Sequence, residues 1–198
     1  MLKKLFGDKS ASPERLKPGE RMRAIEGSSS AELAATLLIA PTALMQLNSD
    51  EARIIVSFMV PRIVTSGTTL IKEGDTADTD FMLLLLEGEV TVENIVVSRS
   101  TPVTVTVLGP GGLIGEMGLV DGKARLASCI ATTDAQCAVL TRAALEKLSD
   151  QDPKTAAKLI LAVALRIADR LRDTAEKLHM YSQLVQAMQQ EIDHLMPG

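Results

Sequence analysis

The stretch that decides the fold is GGLIGEMGLVDGKARLAS, residues 111–128. Its glycines are typical of a turn after a strand, and a short helical turn is predicted to begin at Gly115-Glu116. The first N–H groups of such a turn have no acceptor within it, which favours an anion. Nine residues after Glu116 comes Arg125, a permanent cation with a fork of N–H donors. The small Ala127 and Ser128 beside it leave room for a ligand.

These residue types suit a small nucleotide. A carboxylate can accept a hydrogen bond from a sugar hydroxyl, while an arginine and backbone N–H groups can hold a phosphate. The alternative is that Glu116 and Arg125 form an ion pair on the surface of a turn, which would contribute little to stability. The spacing alone leaves both interpretations open.

On both sides of this stretch, short β-rich segments are separated by glycine turns. Many short strands at such intervals predict an antiparallel sandwich or jelly roll. Residues 91–97 and 103–107 are predicted to form a hairpin across residues 98–102. The predicted strands are Val60–Val64, Thr69–Lys72, Phe81–Leu86, Glu89–Val97, Val103–Leu108, Ser128–Ala131 and Ala135–Thr141.

Helices are predicted before and after the strands. Ser30 is predicted to cap the first helix, Pro41 to kink or divide it, and Asn48 to open a second one. Thr141 is predicted to cap a short helix after the last strand. Asp152-Pro153 has the residue types of an N-cap and a first helical position. The following sequence predicts one helix of about 43 residues, roughly 65 Å long.

Apolar side chains along this long helix alternate in steps of four and three residues, as in the a and d positions of a heptad repeat. A seam of two residues per heptad is typical of pairing with another long helix, so we predict a parallel homodimer through residues 153–195. The first half has a wider apolar stripe, and there the alternative is packing against the β region. The seam residues are Ile160, Ala164, Ile167, Leu171, Thr174, Leu178, Tyr181, Val185, Met188, Ile192 and Leu195.

Residues 111–128 resemble the phosphate-binding cassette of the catabolite activator/cyclic-nucleotide-binding domain family, whose pattern is Gly-Glu-(Leu/Met) followed by Arg-(Ser/Thr/Ala)-Ala. The resemblance covers residues 44–180 approximately and includes turns at residues 72–75, 86–90 and 108–111, in the family's order. It implies an α+β fold: an antiparallel β-roll or jelly roll flanked by short helices, with a long C-terminal dimerisation helix.

The resemblance also implies a ligand site. Glu116 would bind the ribose 2′-hydroxyl and Arg125 the cyclic phosphate, while Gly115 and Ala127 would contribute their backbones. Thr174 on the long helix matches a family threonine that contacts the purine, although it is equally a tolerated polar residue of the seam. The implied ligand-binding residues are Gly115, Glu116, Met117, Arg125, Leu126, Ala127 and Thr174.

Two positions depart from the family pattern. Leu126 stands where the family has Ser, Thr or Ala, so it supplies no hydroxyl to the phosphate and crowds the site. Losing one hydrogen bond to a charged group weakens binding by about 1.5–3 kcal/mol, which is more than tenfold. Ala175 replaces a residue that helps to read the base. The ligand is therefore cyclic AMP or cyclic GMP bound weakly, another nucleotide, or none.

Three domains are predicted: a flexible basic N-terminal arm (1–29), a cyclic-nucleotide-binding-type β-roll with flanking helices (30–150) and a coiled-coil dimer helix (151–198). Together they predict a non-catalytic regulatory sensor that signals, as a homodimer, to an unidentified protein partner. One alternative is a ligand-free structural or interaction module of the same fold. Another is a catabolite-activator-like transcription regulator that lost its DNA-binding domain, with the basic arm contacting DNA phosphates.

Composition and residue types weigh against other classes. The net charge is −4 although residues 1–27 are basic, with seven cationic against four acidic side chains, and an acidic body suits DNA poorly. No sequence-specific DNA binding is expected, because the chain ends at Gly198 without a helix-turn-helix. No enzymatic activity, metal site, cofactor or membrane span is expected. Cys129 and Cys137 are interpreted as buried free thiols, as in a cytoplasmic protein.

Overall fold

The computed structural model describes residues 27–94 and 103–195. The chain divides into two compact units, one up to Ala162 and one from Val163 onward. In chain order the described elements are α1 (Ser29–Leu38), α2 (Ser49–Val56), β1 (Val60–Val64), β2 (Thr69–Ile71), β3 (Phe81–Glu87), β4 (Val90–Asn94), β5 (Val103–Leu108), β6 (Leu113–Ile114), α3 (Glu116–Asp121), β7 (Ser128–Ala131), β8 (Ala135–Thr141), α4 (Arg142–Gln151) and α5 (Pro153–Leu195).

Within the described residues the strands form two antiparallel sheets of four strands each. The first has the order β1-β8-β3-β6 and the second β2-β7-β4-β5. Val60 pairs with Val139 in the first sheet, and Val92 pairs with Cys129 in the second. The predicted α+β fold, antiparallel β-sheets with short helices and a long C-terminal helix, is confirmed.

Strand β3 forms the centre of the core. Its side chains Met82 to Leu85 are fully buried, although successive residues of a strand point to opposite faces of the sheet. Leu83 and Leu85 belong to the cluster between the two sheets, together with Cys129 and Cys137. Met82 and Leu84 lie on the other face of β3, a strand that α1 contacts. A run of apolar residues without alternation is therefore needed here, because both faces of the sheet are covered.

The predicted strand positions are confirmed, with differences at their ends. β2 ends one residue early, β3 extends to Glu87 and β4 begins at Val90. Strand β6 was not predicted, because two residues are too few for a recognisable pattern. β4 and β5 pair antiparallel as expected, with Val90 opposite Leu108. The predicted turn at residues 98–102, the end of the predicted strand at residues 95–97 and nearly all of the basic arm lie outside the described residues.

The helix boundaries follow local capping. The prediction of Ser30 as the first N-cap was wrong: Ser28 is the cap, because its hydroxyl oxygen accepts the Ala31 N–H and the turn at Gly27 directly precedes it. Helix α1 ends at Leu38, ahead of Pro41. A proline shortly after a helix favours such an end, because it disfavours helical geometry in the residue before it. The predicted caps of the later helices, Asn48, Thr141 and Asp152, are confirmed.

The first turns of α5 pack inside the first unit. Ala156, Leu159 and Ala162 are at most 2% exposed. Between them, the Lys158 ammonium donates to the Glu51 carboxylate, which also closes the capping box at the start of α2. This ion pair attaches the first turns of α5 to α2.

The second unit consists of residues 163–198, described up to Leu195 as the continuation of α5. The predicted length of 43 residues is confirmed. The seam side chains in this part are exposed: Leu171 by 69%, Leu178 by 69% and Val185 by 64%. In the portions of the chain that the structure describes, no helix is both long and apolar enough to cross a membrane.

Candidate functional site

The cassette, residues 115–128, begins with a backbone conformation that requires glycine. Gly115 is the N-cap of α3 and has φ +80°, in the left-handed region. A Cβ at this position would lie 2.7 Å from Arg125 Nη1 and 2.8 Å from Ile71 Cδ1. Gly115 therefore allows both the turn from β6 into α3 and the close approach of the arginine.

A second glycine lets the guanidinium lie against α3. Gly118 is in the middle of this six-residue helix, where glycine costs stability relative to alanine. A Cβ at Gly118 would lie 2.5 Å from Arg125 Nη1 and 2.7 Å from the carbonyl oxygen of Thr79. The helix thus lacks a side chain where the arginine needs the space.

Arg125 is 5% exposed and donates three hydrogen bonds to backbone carbonyls. Its Nε donates to Asp78 over 3.1 Å, its Nη1 to Gly115 over 2.9 Å and its Nη2 to Phe81 over 3.0 Å. The guanidinium also lies 4.6 Å from the centre of the Phe81 ring, a cation–π contact. A guanidinium has five N–H groups, so it retains donors for a further acceptor such as a phosphate oxygen.

Burial and nearby charges act on this arginine in opposite directions. Desolvation lowers the pKa of the Arg125 guanidinium, while the carboxylates of Asp75, Asp80 and Glu116 raise it. Since an arginine in water titrates above pH 12, the side chain stays protonated at neutral pH. The site therefore holds one fixed cation that is largely buried, with three carboxylates near enough to act on its pKa.

Glu116 is the first residue of α3 and is 1% exposed. Because Arg125 is buried as well, the interpretation of these two residues as a surface ion pair is wrong. Burying a carboxylate and a guanidinium costs free energy, because both charges lose their contact with water. The same two residues on a solvated surface turn would not have this cost. The buried arrangement is suited to recognising polar groups.

The other predicted site residues of the cassette are at least partly exposed. Met117 and Ala127 are half-buried, and the Leu126 side chain is 68% exposed. Leu126 therefore does not occupy the interior beside the guanidinium. Ser128, expected with Ala127 to leave room for a ligand, accepts the Glu73 N–H at its Oγ over 3.0 Å.

The loop between β2 and β3, residues 72–80, holds the cassette by its backbone. The Gly74 N–H donates to the Arg125 carbonyl over 2.8 Å, and the Arg125 N–H donates to the Asp75 carbonyl over 2.9 Å. These two bonds fix the backbone of the residue whose side chain reaches into the site. The turn at residues 72–75, one of the turns that resemble the family, thus holds the backbone of Arg125 in place.

Several residues of this arrangement were not identified from the sequence. Asp78 and Phe81 act through backbone carbonyls, which no residue pattern reveals. Gly118 could have been found, because an isolated glycine in a predicted helix indicates a close approach by another group. Arg142 is the first residue of α4, where a basic residue has no role that the sequence indicates.

The predicted site residues fall into two groups. Gly115, Glu116, Met117, Arg125, Leu126 and Ala127 all belong to the first unit and to one turn–helix–loop. Thr174 belongs to the second unit, where its hydroxyl donates to the Arg170 carbonyl over 2.7 Å. Its predicted contact with a purine stays a prediction.

Residues 61–152 match the family model of the cyclic nucleotide-binding domain. Among curated proteins, a cyclic nucleotide-gated potassium channel of Rhizobium etli is 33% identical over 120 residues, which is 60% of this chain. The match spans 31% of the channel's own length.

Solved structures with the same fold include a cyclic nucleotide-binding domain of Methylobacillus flagellatus, with a TM-score of 0.64 and 28% identity over 76% of this chain and 83% of that one. The catabolite activator protein of Thermus thermophilus gives a TM-score of 0.61 and 27% identity over 69% of this chain and 61% of that one. The cassette geometry, the family model and these structures agree. Residues 61–152 of this chain are therefore similar to the cyclic nucleotide-binding domain in sequence and in fold.

Proposed function

We propose that this chain is a non-catalytic regulatory protein that binds a cyclic nucleotide, cyclic AMP or cyclic GMP, in the cassette and acts as a homodimer on a protein partner. The observation that carries the proposal is the position of the buried Arg125 guanidinium, which lies against Gly115 and Gly118 and near enough to the buried Glu116 for that carboxylate to act on its pKa. One cation with spare N–H donors suits the single negative charge of a cyclic phosphate.

The roles of the two charged residues follow from their chemistry. Arg125 donates to the phosphate oxygens through the N–H groups that the backbone carbonyls leave, and burial strengthens these bonds because little water competes. Glu116 accepts a hydrogen bond from the ribose 2′-hydroxyl. A nucleotide that lacks this hydroxyl would leave a buried carboxylate without that donor, which disfavours its binding.

The affinity is proposed to be limited by Leu126. Its side chain is 68% exposed and has no hydroxyl to donate to the phosphate. The nearby carboxylates of Asp75 and Asp80 also weaken the attraction of the site for an anion, since they lie close enough to affect the pKa of Arg125. We therefore propose weaker binding than in family members with Ser, Thr or Ala at this position.

Leu126→Ser is the variant that tests the nucleotide proposal, with Leu126→Ala as its matched control. We expect isothermal titration with cyclic AMP and cyclic GMP to show binding at least about tenfold tighter for Leu126→Ser than for wild type, because one hydrogen bond to a charged phosphate is gained. Leu126→Ala removes the same bulk without adding a donor and should gain much less. The exposed position should leave stability within about 0.5 kcal/mol of wild type.

Two outcomes would contradict this proposal. Equal gains in the Ser and Ala variants would mean that the hydroxyl does not reach the phosphate. No heat with either nucleotide, in wild type and in Leu126→Ser, would favour the second candidate function, a ligand-free interaction module. The observation in favour of that candidate is the set of three carbonyls that Arg125 bridges, which gives the arginine a role in the fold alone.

The proposed homodimer is supported by the exposed seam of α5. Leu171, Leu178 and Val185 are each more than 60% exposed, and they recur every seven residues. Side chains of this kind on one face of a helix are stabilised by burial against an equivalent face, and a second copy of the same helix supplies it. The parallel, in-register arrangement places each seam residue opposite its own copy.

Single cysteines at these three positions test the arrangement. Because a disulfide needs Cα atoms about 4.4–6.8 Å apart, a parallel dimer predicts cross-linking at Leu171→Cys, Leu178→Cys and Val185→Cys alike. An antiparallel dimer allows it at one position at most, and a monomer at none. Asp173→Cys, on the exposed side away from the seam, is the control that should not cross-link. The native cysteines are buried and should not interfere.

A further inference from the structure

A second arginine holds the cassette helix α3 from its other end. Arg142, the first residue of α4, donates from Nη2 to the Gly118 carbonyl over 2.9 Å and, at the limit of a hydrogen bond, from Nη1 to the Val120 carbonyl over 3.5 Å. The last carbonyls of a helix have no partner within it and carry partial negative charge, so a guanidinium is stabilised there. Arg142 thus acts as a side-chain cap of α3.

Both arginines donate hydrogen bonds to the same two backbone segments, namely α3 with its N-cap and the start of β3. On α3, Arg125 binds the Gly115 carbonyl and Arg142 binds the Gly118 carbonyl, three residues further on. At the start of β3, the Arg125 side chain binds the Phe81 carbonyl while the Arg142 N–H donates to the Asp80 carbonyl over 2.6 Å. Helix α3 and the start of β3 therefore connect Arg125 to Arg142 in the first turn of α4.

We infer that Arg142 is a positioning residue that couples the cassette helix to α4: it sets the position of α3 and passes a displacement of α3 to α4. This inference deepens the proposed function and rests on it for the ligand-dependent part. When a phosphate binds the remaining N–H groups of Arg125, the guanidinium shifts toward it, and α3 adjusts because the same guanidinium holds the Gly115 carbonyl. Because Arg142 holds the other end of α3 and is itself part of α4, the adjustment reaches the helix that leads into α5.

The geometry explains why an arginine is needed. A lysine at this position would keep the charge but offers a compact ammonium in place of a fork, so it cannot hold two carbonyls of α3 in a fixed orientation. Gly122 follows α3 with φ +65°, and a Cβ there would lie 3.2 Å from Arg142 Nη2. The helix end is thus shaped to let the guanidinium approach.

Hydrogen–deuterium exchange of the nucleotide-free protein tests the clamp without reference to any ligand. The Gly122 N–H donates to the Gly118 carbonyl, the same oxygen that Arg142 binds. In Arg142→Met we expect the amides at the end of α3 to exchange at least about tenfold faster than in wild type. Arg142→Lys should lie between the two, and Arg62→Met, an exposed arginine of β1, should match wild type. Unchanged exchange at the end of α3 in a folded Arg142→Met would overturn the inference.

A second exchange measurement with saturating cyclic AMP tests the coupling. In wild type we expect added protection both in α3 and in α4, residues 142–151. In Arg142→Met, and in Arg142→Lys should the first variant not fold, the protection should persist in α3 and fall at least about threefold in α4. Persistent protection of α4 in both variants would overturn the inference. No protection anywhere in wild type would instead contradict the proposed function, and the nucleotide-free measurement would still decide whether the clamp exists.

Discussion

Replacing Arg125 should damage the fold as well as the ligand site. The side chain satisfies the carbonyls of Asp78, Gly115 and Phe81 in the interior. The variant Arg125→Met keeps much of the volume and removes every donor. The variant Arg125→Lys keeps the charge but replaces a planar fork by one compact ammonium, which reaches one or two of the three carbonyls.

The expected magnitude follows from these bonds. A buried acceptor that loses its partner costs about 1–3 kcal/mol. The Gly115 carbonyl keeps one partner, because it also accepts the Leu119 N–H over 3.3 Å, so two carbonyls bear most of the loss. Removing the guanidinium also removes its own desolvation cost, which offsets part of the effect. We expect Arg125→Met to lower the free energy of unfolding by about 3 kcal/mol, or the melting temperature by about 6–12 °C.

Urea unfolding without nucleotide, at one fixed protein concentration, measures this loss. Arg62→Met is the matched control, since Arg62 is exposed on β1 and its replacement should change stability by at most about 0.5 kcal/mol. Arg125→Lys should fall between Arg125→Met and wild type. If Arg125→Met unfolded at the wild-type urea concentration, the bridging of three carbonyls would be refuted, and the arginine would have to point elsewhere.

Three further predictions concern packing and titration. Gly118→Ala should lower the free energy of unfolding by about 1–3 kcal/mol, although alanine favours helices, because the new Cβ meets the backbone carbonyl oxygen of Thr79 as well as the guanidinium of Arg125; urea unfolding measures it. The hydrogen bond from Lys158 holds the pKa of Glu51 below its usual value, so the carboxylate stabilises the fold at neutral pH and loses this effect as the pH falls through that lowered pKa. Glu51→Gln should therefore be less stable than wild type by about 1–2 kcal/mol at pH 7, and this difference should shrink as the pH is lowered. Burial raises the pKa of the Cys137 thiol to about 11, so a thiol reagent should not label it in the native protein at pH 8.

The contrary results are equally specific. A more stable Gly118→Ala would mean that the helix lies free of the arginine. A stability difference for Glu51→Gln that did not shrink with falling pH would show that the ion pair is not its source. Rapid labelling of Cys137 in the folded protein would contradict the burial of its side chain between the two sheets.

The sequence predicted the fold well where the pattern is local. Asn48, Thr141 and Asp152 were identified as caps because capping chemistry depends on a few neighbouring residues. The glycine turns marked the strands for the same reason. Strand β6 was not predicted because it is defined by its pairing with β3, which lies about thirty residues earlier in the chain.

The site was predicted in part, for a related reason. Arg125 and Glu116 were identified because they are charged side chains at a recognisable spacing in the sequence. The partners of Arg125 were missed, because they are backbone carbonyls of Asp78 and Phe81 that only the fold brings to it. Arg142 was missed because its partner, the Gly118 carbonyl, lies 24 residues earlier in the chain.

The most direct test of the central claim is the Nε–H resonance of Arg125 in a ¹⁵N NMR spectrum, assigned by its absence in Arg125→Lys and followed during a titration with cyclic AMP and cyclic GMP. We predict a saturating change at this resonance, in step with the amides of Gly115 and Gly118, because the phosphate binds the guanidinium that these glycines accommodate. An Arg125 signal that stays in place while amides elsewhere respond would contradict the cassette as the nucleotide site.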